Sequence, residues 1–262
     1  MSNERGRRAE IAGDGTGPPE TPPKNELLAK IPPHELASFM EHVTDVSIAV
    51  KEVLFEEKDI LDRVYFPLNS MISLVNVMDD GTLIEVMTVG REGFIGFALL
   101  NNVSTARYKG VVQIGGRFLS VPVAAFLTAI ETLPEMRRHL RHYAQFASEV
   151  AAQGVACNSV HNVEQRLARW LLITADAIGS NTFDITQEFL SQMLAVRRPG
   201  VTVAMGALGR RALLSHRYGK VTLLDVQGLK QTSCECYRRI QEKAIELLND
   251  NEPSRNSTRI LP

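Results

Sequence analysis

The run Ile185-Thr186-Gln187-Glu188-Phe189-Leu190-Ser191-Gln192-Met193-Leu194-Ala195-Val196-Arg197-Arg198-Pro199-Gly200-Val201-Thr202 decides the reading of this chain. Thr186 is a good helix N-cap, and Glu188 sets a carboxylate in the first turn, where it complements the helix dipole. Phe189, Leu190, Met193 and Leu194 supply one apolar face. The pattern breaks at Ala195-Val196-Arg197 and resumes near Arg198, with Pro199 suited to the first helical position. Val201, Ala204, Met205 and Leu208 then mark the buried side of a second helix. Two short helices joined by three or four residues fit a helix-turn-helix.

Immediately downstream, Leu213-Leu214-Ser215 and Val221-Thr222-Leu223-Leu224 flank His216-Arg217-Tyr218-Gly219-Lys220, a hairpin with a basic tip. The two helices and this wing read together as a winged helix. From Asp184 to Lys220 there are six basic residues (Arg197, Arg198, Arg210, Arg211, Arg217, Lys220) against two acidic ones, a local charge of +4 in a chain whose formal net charge is −1. Lysines and arginines that neutralise phosphates release counterions, so such a patch favours nucleic acid in a salt-dependent way.

Upstream, Val163 to Ala177 reads as a helix with Leu167, Trp170, Leu171 and Ala175 on one face, stopping at Gly179. Before it, a long helix runs from about Glu135 to Ser159. Met136, Leu140, Tyr143, Ala147, Val150, Gly154 and Cys157 recur there at alternating steps of four and three, the 3.5-residue repeat of a coiled-coil seam. The stripe fits either a partner helix or the chain's own barrel. Polar flanks such as Arg137, Arg138, Arg141 and Gln145 favour the partner, and these seven residues are the expected dimer interface.

The middle of the chain switches to period two. Val46, Ile48 and Val50 alternate with polar neighbours, and strand-like runs Val64–Phe66, Met71–Val77, Leu83–Val89, Val111–Ile114 and Phe118–Val121 are parted by Asn, Asp and Gly turns. Short strands at regular spacing indicate a small antiparallel barrel or roll. The expected order is an α+β chain: a tail over 1–24, a β-roll over 25–132, a dimerisation helix over 133–160, a winged helix-turn-helix over 161–248, and a second tail over 249–262. The first tail mixes Arg, Glu, Gly and Pro with few large apolar residues, a composition that does not support a packed core.

With 44% apolar and 23% charged residues among 262, the composition is that of a soluble globular protein. No apolar run is long enough to span a bilayer, and the opening residues carry charge without an apolar stretch, so the expectation is cytoplasmic, with no membrane partner. Cys157, Cys234 and Cys236 form no disulfide framework. Cys234-Glu235-Cys236 is spaced too closely for the usual zinc pattern, and the pair reads as ordinary thiols. The His139/His142 pair reads as helix surface, and no metal site is expected. No nucleophile–base pairing, paired carboxylates, Walker or dinucleotide fingerprint stands out, so no enzyme is expected.

Over nearly its whole folded length the chain resembles the Crp/Fnr family of bacterial transcription regulators, in the subgroup with a degenerate cyclic-nucleotide-binding-like sensor domain. The run 185–202 carries the resemblance, with Val64-Tyr65-Phe66-Pro67 and Val89-Gly90-Arg91-Glu92-Gly93-Phe94-Ile95-Gly96 upstream. It implies a homodimer on a pseudo-palindromic duplex site, controlled at the roll, with RNA polymerase as a further partner. Arg198 falls where the family's base-reading arginine stands, and Thr186 where a residue caps the first helix and touches phosphate. The DNA-binding residues expected are Thr186, Gln187, Arg197, Arg198, Pro199, Thr202, Val203, Arg217 and Lys220. Pro199 stands where the best-known members have an acid and Val203 where they have a second arginine, so the operator differs and Val203 faces a thymine methyl instead. The family's cyclic-nucleotide pocket would use Glu92, Gly93 and Arg107, but the order Glu92-Gly93 is reversed and the phosphate-binding triplet is absent, so no cofactor is expected. The alternative is a cyclic-nucleotide-responsive module whose winged helix contacts protein rather than DNA.

Overall fold

Period-two alternation between turn residues folds the first half of the chain into two antiparallel sheets. The computed structural model describes residues 25–248, so the two expected tails lie outside the described residues. After α1 (Pro33–Met40) come β1 (Thr44–Ile48), β2 (Val53–Phe55), β3 (Arg63–Pro67), β4 (Met71–Val77), β5 (Leu83–Val89), β6 (Lys109–Ile114) and β7 (Gly116–Pro122). The sheets have strand orders β1-β7-β3 and β2-β6-β4-β5, which is the expected roll. Its interior is aromatic. Phe66 stacks on Phe94 at 5.3 Å between centroids, and Phe94 meets Phe126 at 5.8 Å.

Two helices close the roll, α2 (Val123–Thr132) and the 27-residue α3 (Pro134–Val160). No side chain at Leu133 caps α3. Glu35 of α1 does so from across the fold, accepting from the backbone N–H of Glu135 at 3.2 Å and of Met136 at 2.8 Å. A carboxylate there satisfies two orphan donors and meets the positive end of the helix dipole.

The apolar stripe of α3 turns inward, which corrects the expected dimer interface. Met136, Leu140, Tyr143 and Ala147 are buried in the chain's own first core, and Cys157 is buried beside Cys234 and Cys236. Val150 and Gly154 keep partial exposure. The roll needs a lid for its aromatic interior, and the seam provides it: Tyr143 lies 5.4 Å from Phe94 between centroids. Gly93 makes the approach possible, since a Cβ there would fall 2.0 Å from the Tyr143 ring. His139, expected on the surface, is buried on the same side.

Beyond α3 follow α4 (Val163–Ile178), β8 (Thr182–Asp184), α5 (Gln187–Met193), α6 (Arg198–Arg210), β9 (Leu214–Arg217), β10 (Lys220–Leu223), α7 (Val226–Thr232) and α8 (Cys236–Leu248). Asn162 and Gln165 form a reciprocal capping box at the start of α4, and Gly179 closes it in the left-handed conformation at φ +68°. The second core does not stop at the helices. Met71 and Val75 of β4 belong to it, packed with Leu167, Trp170 and Leu171. That explains why β4 is buried at five successive positions instead of alternating.

Candidate nucleic-acid interface

Local sequence sets the geometry of the helix pair. The Thr186 hydroxyl accepts from Phe189 N–H at 3.2 Å and starts α5. The turn closes with Ala195 N–H to Gln192 O at 3.1 Å and Val196 N–H to Ser191 O at 3.0 Å, with Ala195 itself at φ +49°. That is a Schellman closure with alanine in the position glycine usually takes. Arg166 of α4, buried, donates through Nη2 to Leu194 O and holds the turn from behind.

α6 then presents two unlike faces. Val201, Ala204, Met205 and Leu208 are buried against α4 and α5. Arg198, Pro199, Thr202 and Val203 are exposed, Val203 by 69%. Arg197 and Thr186 are exposed beside them, and Gln187 is half-buried, its Oε1 accepting from Thr202 Oγ1 at 2.7 Å. The wing is a three-stranded sheet of order β8-β10-β9. Arg217 pairs with Lys220 across a two-residue turn, Tyr218 at φ +51° and Gly219 at φ +79°. Positive φ at both central residues is the type I′ turn that suits strand twist. The basic side chains of Arg217 and Lys220 are exposed, as is Tyr218 at the tip. Arg211, counted in the local charge, turns away to Glu164 at 3.2 Å and Thr232 at 3.0 Å.

The residues expected to form an effector pocket are not brought together. Gly93 is covered by Tyr143, the Glu92 carboxylate accepts from Gly90 N–H at 2.9 Å, and Arg107 is exposed. One of the three, Glu92, instead lines a cavity of about 690 Å³ between β5, the second half of α3, α4 and α8, together with Glu85, Arg169 and Trp170. Trp170 Nε1 donates to Glu85 Oε1 at 3.1 Å, and Ser73 Oγ donates to its other oxygen at 2.9 Å, so a helix of the second core is hydrogen-bonded to a strand of the roll.

Burial pushes both Glu85 and Glu92 up to about 7, against the favourable fields of Arg169 and Arg91 respectively. The folded chain therefore keeps protons on these carboxyls that the unfolded chain releases near its ordinary carboxylate pKa. Stability is fully present below that value and declines as pH rises toward 7. The melting temperature is expected to fall between about pH 5 and 7.5, and Glu85→Gln, a mimic of the protonated form, should flatten part of the slope. Parallel melting curves for the two proteins across that range would remove Glu85 from the account.

Sequence reasoning also missed a cluster. Cys157, His161, Cys234 and Cys236 bring their ligand atoms within 4.8 Å of one another, so the two late thiols do have companions. The three cysteines are buried.

Residues 165–232 match the model of a Crp-like helix-turn-helix domain. The chain is 25% identical over 182 residues to the transcriptional regulator SdrP of Thermus thermophilus, covering 65% of this chain and 83% of that protein. Among solved structures it is similar in fold to FixK2 from Bradyrhizobium japonicum, at TM-score 0.62 and 15% identity, over 73% of this chain and 98% of the other. It is also similar to TTHB099, a CRP-family transcriptional regulator from Thermus thermophilus, at TM-score 0.58 and 20% identity, over 71% and 95%. Among the described residues no helix is long and apolar enough to cross a membrane.

Proposed function

Taking the chain as a Crp-family transcription regulator with a helix-turn-helix DNA-binding domain, we propose that it binds a pseudo-palindromic duplex site as a homodimer, in the cytoplasm, under the control of a signal at the roll. The observation that carries this reading is the two-faced α6: one side packed into the domain, the other exposing Arg198, Thr202 and Val203 beside a basic wing.

In this reading α6 enters the major groove N-terminus first, and Arg198 donates two hydrogen bonds to guanine O6 and N7. Val203 packs on a thymine methyl. Thr186, Arg197, Arg217 and Lys220 meet phosphates, which fix register without reading sequence. The hydrogen bond between Gln187 and Thr202 holds the two helices in one register on the groove edge.

The homodimer is supported by a second row on α3. With the apolar stripe committed to the roll, Arg141, Gln145, Ser148, Ala152, Val155 and Ser159 remain exposed, again at alternating steps of four and three. Small side chains at the middle of this row let a second copy approach closely, and Val155 is 70% exposed. Control from the roll is supported by the Trp170–Glu85 hydrogen bond, which gives the roll a direct grip on the winged helix.

Selection of bound fragments from a random duplex pool, followed by titration at several salt concentrations, tests the reading. Arg198→Ala is expected to cost about 1–3 kcal/mol and relax preference at one base pair per half-site. Lys220→Ala should weaken all sequences alike and reduce the salt slope by about one. Equal loss from Arg198→Ala on every base substitution would refute its reading role. No enrichment of any sequence would refute the function.

A further inference from the structure

We propose that Cys157, His161, Cys234 and Cys236 form a closed, four-coordinate zinc(II) site that clasps the end of the long helix to the C-terminal helix. The geometry is already close to that of such a site. Cys157 Sγ lies 3.5 Å from Cys234 Sγ, and Cys236 Sγ lies 3.7 Å from His161 Nδ1. A tetrahedron with zinc–sulfur bonds near 2.3 Å and zinc–nitrogen bonds near 2.0–2.1 Å has edges of about 3.5–3.8 Å. Two edges match, and the remaining separations, none above 4.8 Å, need only a small contraction.

The donors select the metal. Three thiolates and one imidazole are too soft for magnesium, calcium or manganese, and in a four-coordinate array they suit zinc. Burial of all three sulfurs leaves no open position for substrate, which marks a structural or regulatory centre rather than a catalytic one.

Surrounding groups are arranged as a metal site requires. His161 Nε2 stands 3.0 Å from Glu235 Oε2, so this nitrogen carries the proton it donates and leaves the Nδ1 lone pair facing the sulfurs. A carboxylate behind a ligating histidine is the usual means of fixing its tautomer and orientation. Gln153 Nε2 donates to Cys236 Sγ at 3.1 Å. Zinc displaces the protons of the bound thiols to solvent, and the filled site carries one net negative charge. Arg169 lies within electrostatic reach of Cys157 and Cys234 to offset that charge, and its buried Nε has no hydrogen-bond partner.

The placement gives the site a purpose beyond rigidity. Cys157 is in the last turn of α3, His161 follows it in the link to α4, and Cys234 and Cys236 flank the start of α8. One ion would tie two segments far apart in sequence at the joint between the roll's lid and the winged helix.

The test uses the full chain, expressed in zinc-replete medium and purified under reducing conditions without chelator. Elemental analysis is expected to find one zinc per chain. Cobalt(II) substitution should give thiolate-to-cobalt charge-transfer absorption and the intense visible bands of a tetrahedral centre, with charge-transfer intensity for three thiolates. Glu235→Gln should keep the stoichiometry and weaken zinc about 10–100-fold in competition with a chromophoric chelator. Cys234→Ala and His161→Ala should lose it, while the cobalt spectrum of the unaltered chain decides the matter even if these variants fold poorly. Reduced protein that neither holds zinc nor develops those bands overturns the proposal. So does stoichiometric iron in place of zinc. None of these readouts involves DNA, so failure here leaves the DNA-binding reading standing.

Discussion

A chain carrying arginine at both Ala152 and Val155 is expected to sediment as a monomer and to lose about 10²–10⁴-fold in affinity for its full operator, the avidity of two linked half-sites. Both positions are exposed in the isolated chain, so the substitutions should leave its circular dichroism and melting behaviour nearly unchanged. In a two-fold pairing of α3 helices, residues near the axis meet their own copies, and each arginine is then placed against another. Four added guanidinium groups in the seam must be desolvated without partners, which a helix pair held by small residues does not tolerate. Binding to a single half-site and to unrelated duplex should persist, because the proposed phosphate contacts of Arg197, Arg217 and Lys220 and the proposed base contact of Arg198 are untouched. Light scattering with titration on full and half operators reads both effects. A double variant that remains dimeric and binds the full site normally would move the interface elsewhere on the molecule.

The same helix shows what a sequence reveals and what it hides. Its length and its start, to within a residue of Glu135, follow from helical periodicity, and so does the existence of an apolar seam. The identity of what covers the seam does not. A 3.5-residue repeat reports only that a stripe must be buried, and the roll's aromatic interior around Phe94 competes for it with any partner helix. The roll wins because Gly93 lets Tyr143 approach.

In the winged helix almost everything was legible, since caps, turn residues and face periodicity are local: Thr186, Pro199 and the Tyr218-Gly219 turn fall where their chemistry places them. What was missed depends on contacts distant along the chain. β8 is three residues long and owes its strand pairing to β10. Glu35 caps a helix about a hundred residues away. The cysteine–histidine cluster joins a pair four residues apart at the end of the long helix to a Cys-x-Cys segment more than seventy residues later. The helical i, i+4 spacing of Cys157 and His161 was the one local signal, and without the fold it has no companion.

The other large effect should come from a residue that touches no DNA. Arg166→Ala is expected to destabilise the chain by about 1.5–3 kcal/mol, the usual worth of a charged hydrogen bond, and to depress DNA binding on every sequence. The Leu194 carbonyl is one of the orphan acceptors at the end of α5. The Schellman bonds satisfy Ser191 and Gln192 but leave Leu194 to Arg166. Removing the guanidinium strands that carbonyl in the interior and opens a void behind a turn already bent through Ala195 at φ +49°. Because the angle between α5 and α6 is set at this turn, a few degrees of drift there would move Arg198 away from the base edge it is proposed to read. Arg166→Lys keeps the charge and a donor, so it should restore part of the stability while leaving affinity low, since a lysine ammonium does not reproduce the position from which Nη2 meets the Leu194 carbonyl. Hydrogen exchange across residues 190–200 locates the loosened segment directly. Unchanged protection there in Arg166→Ala, together with normal operator affinity, would mean that the turn is held by its own backbone and that Arg166 contributes packing alone.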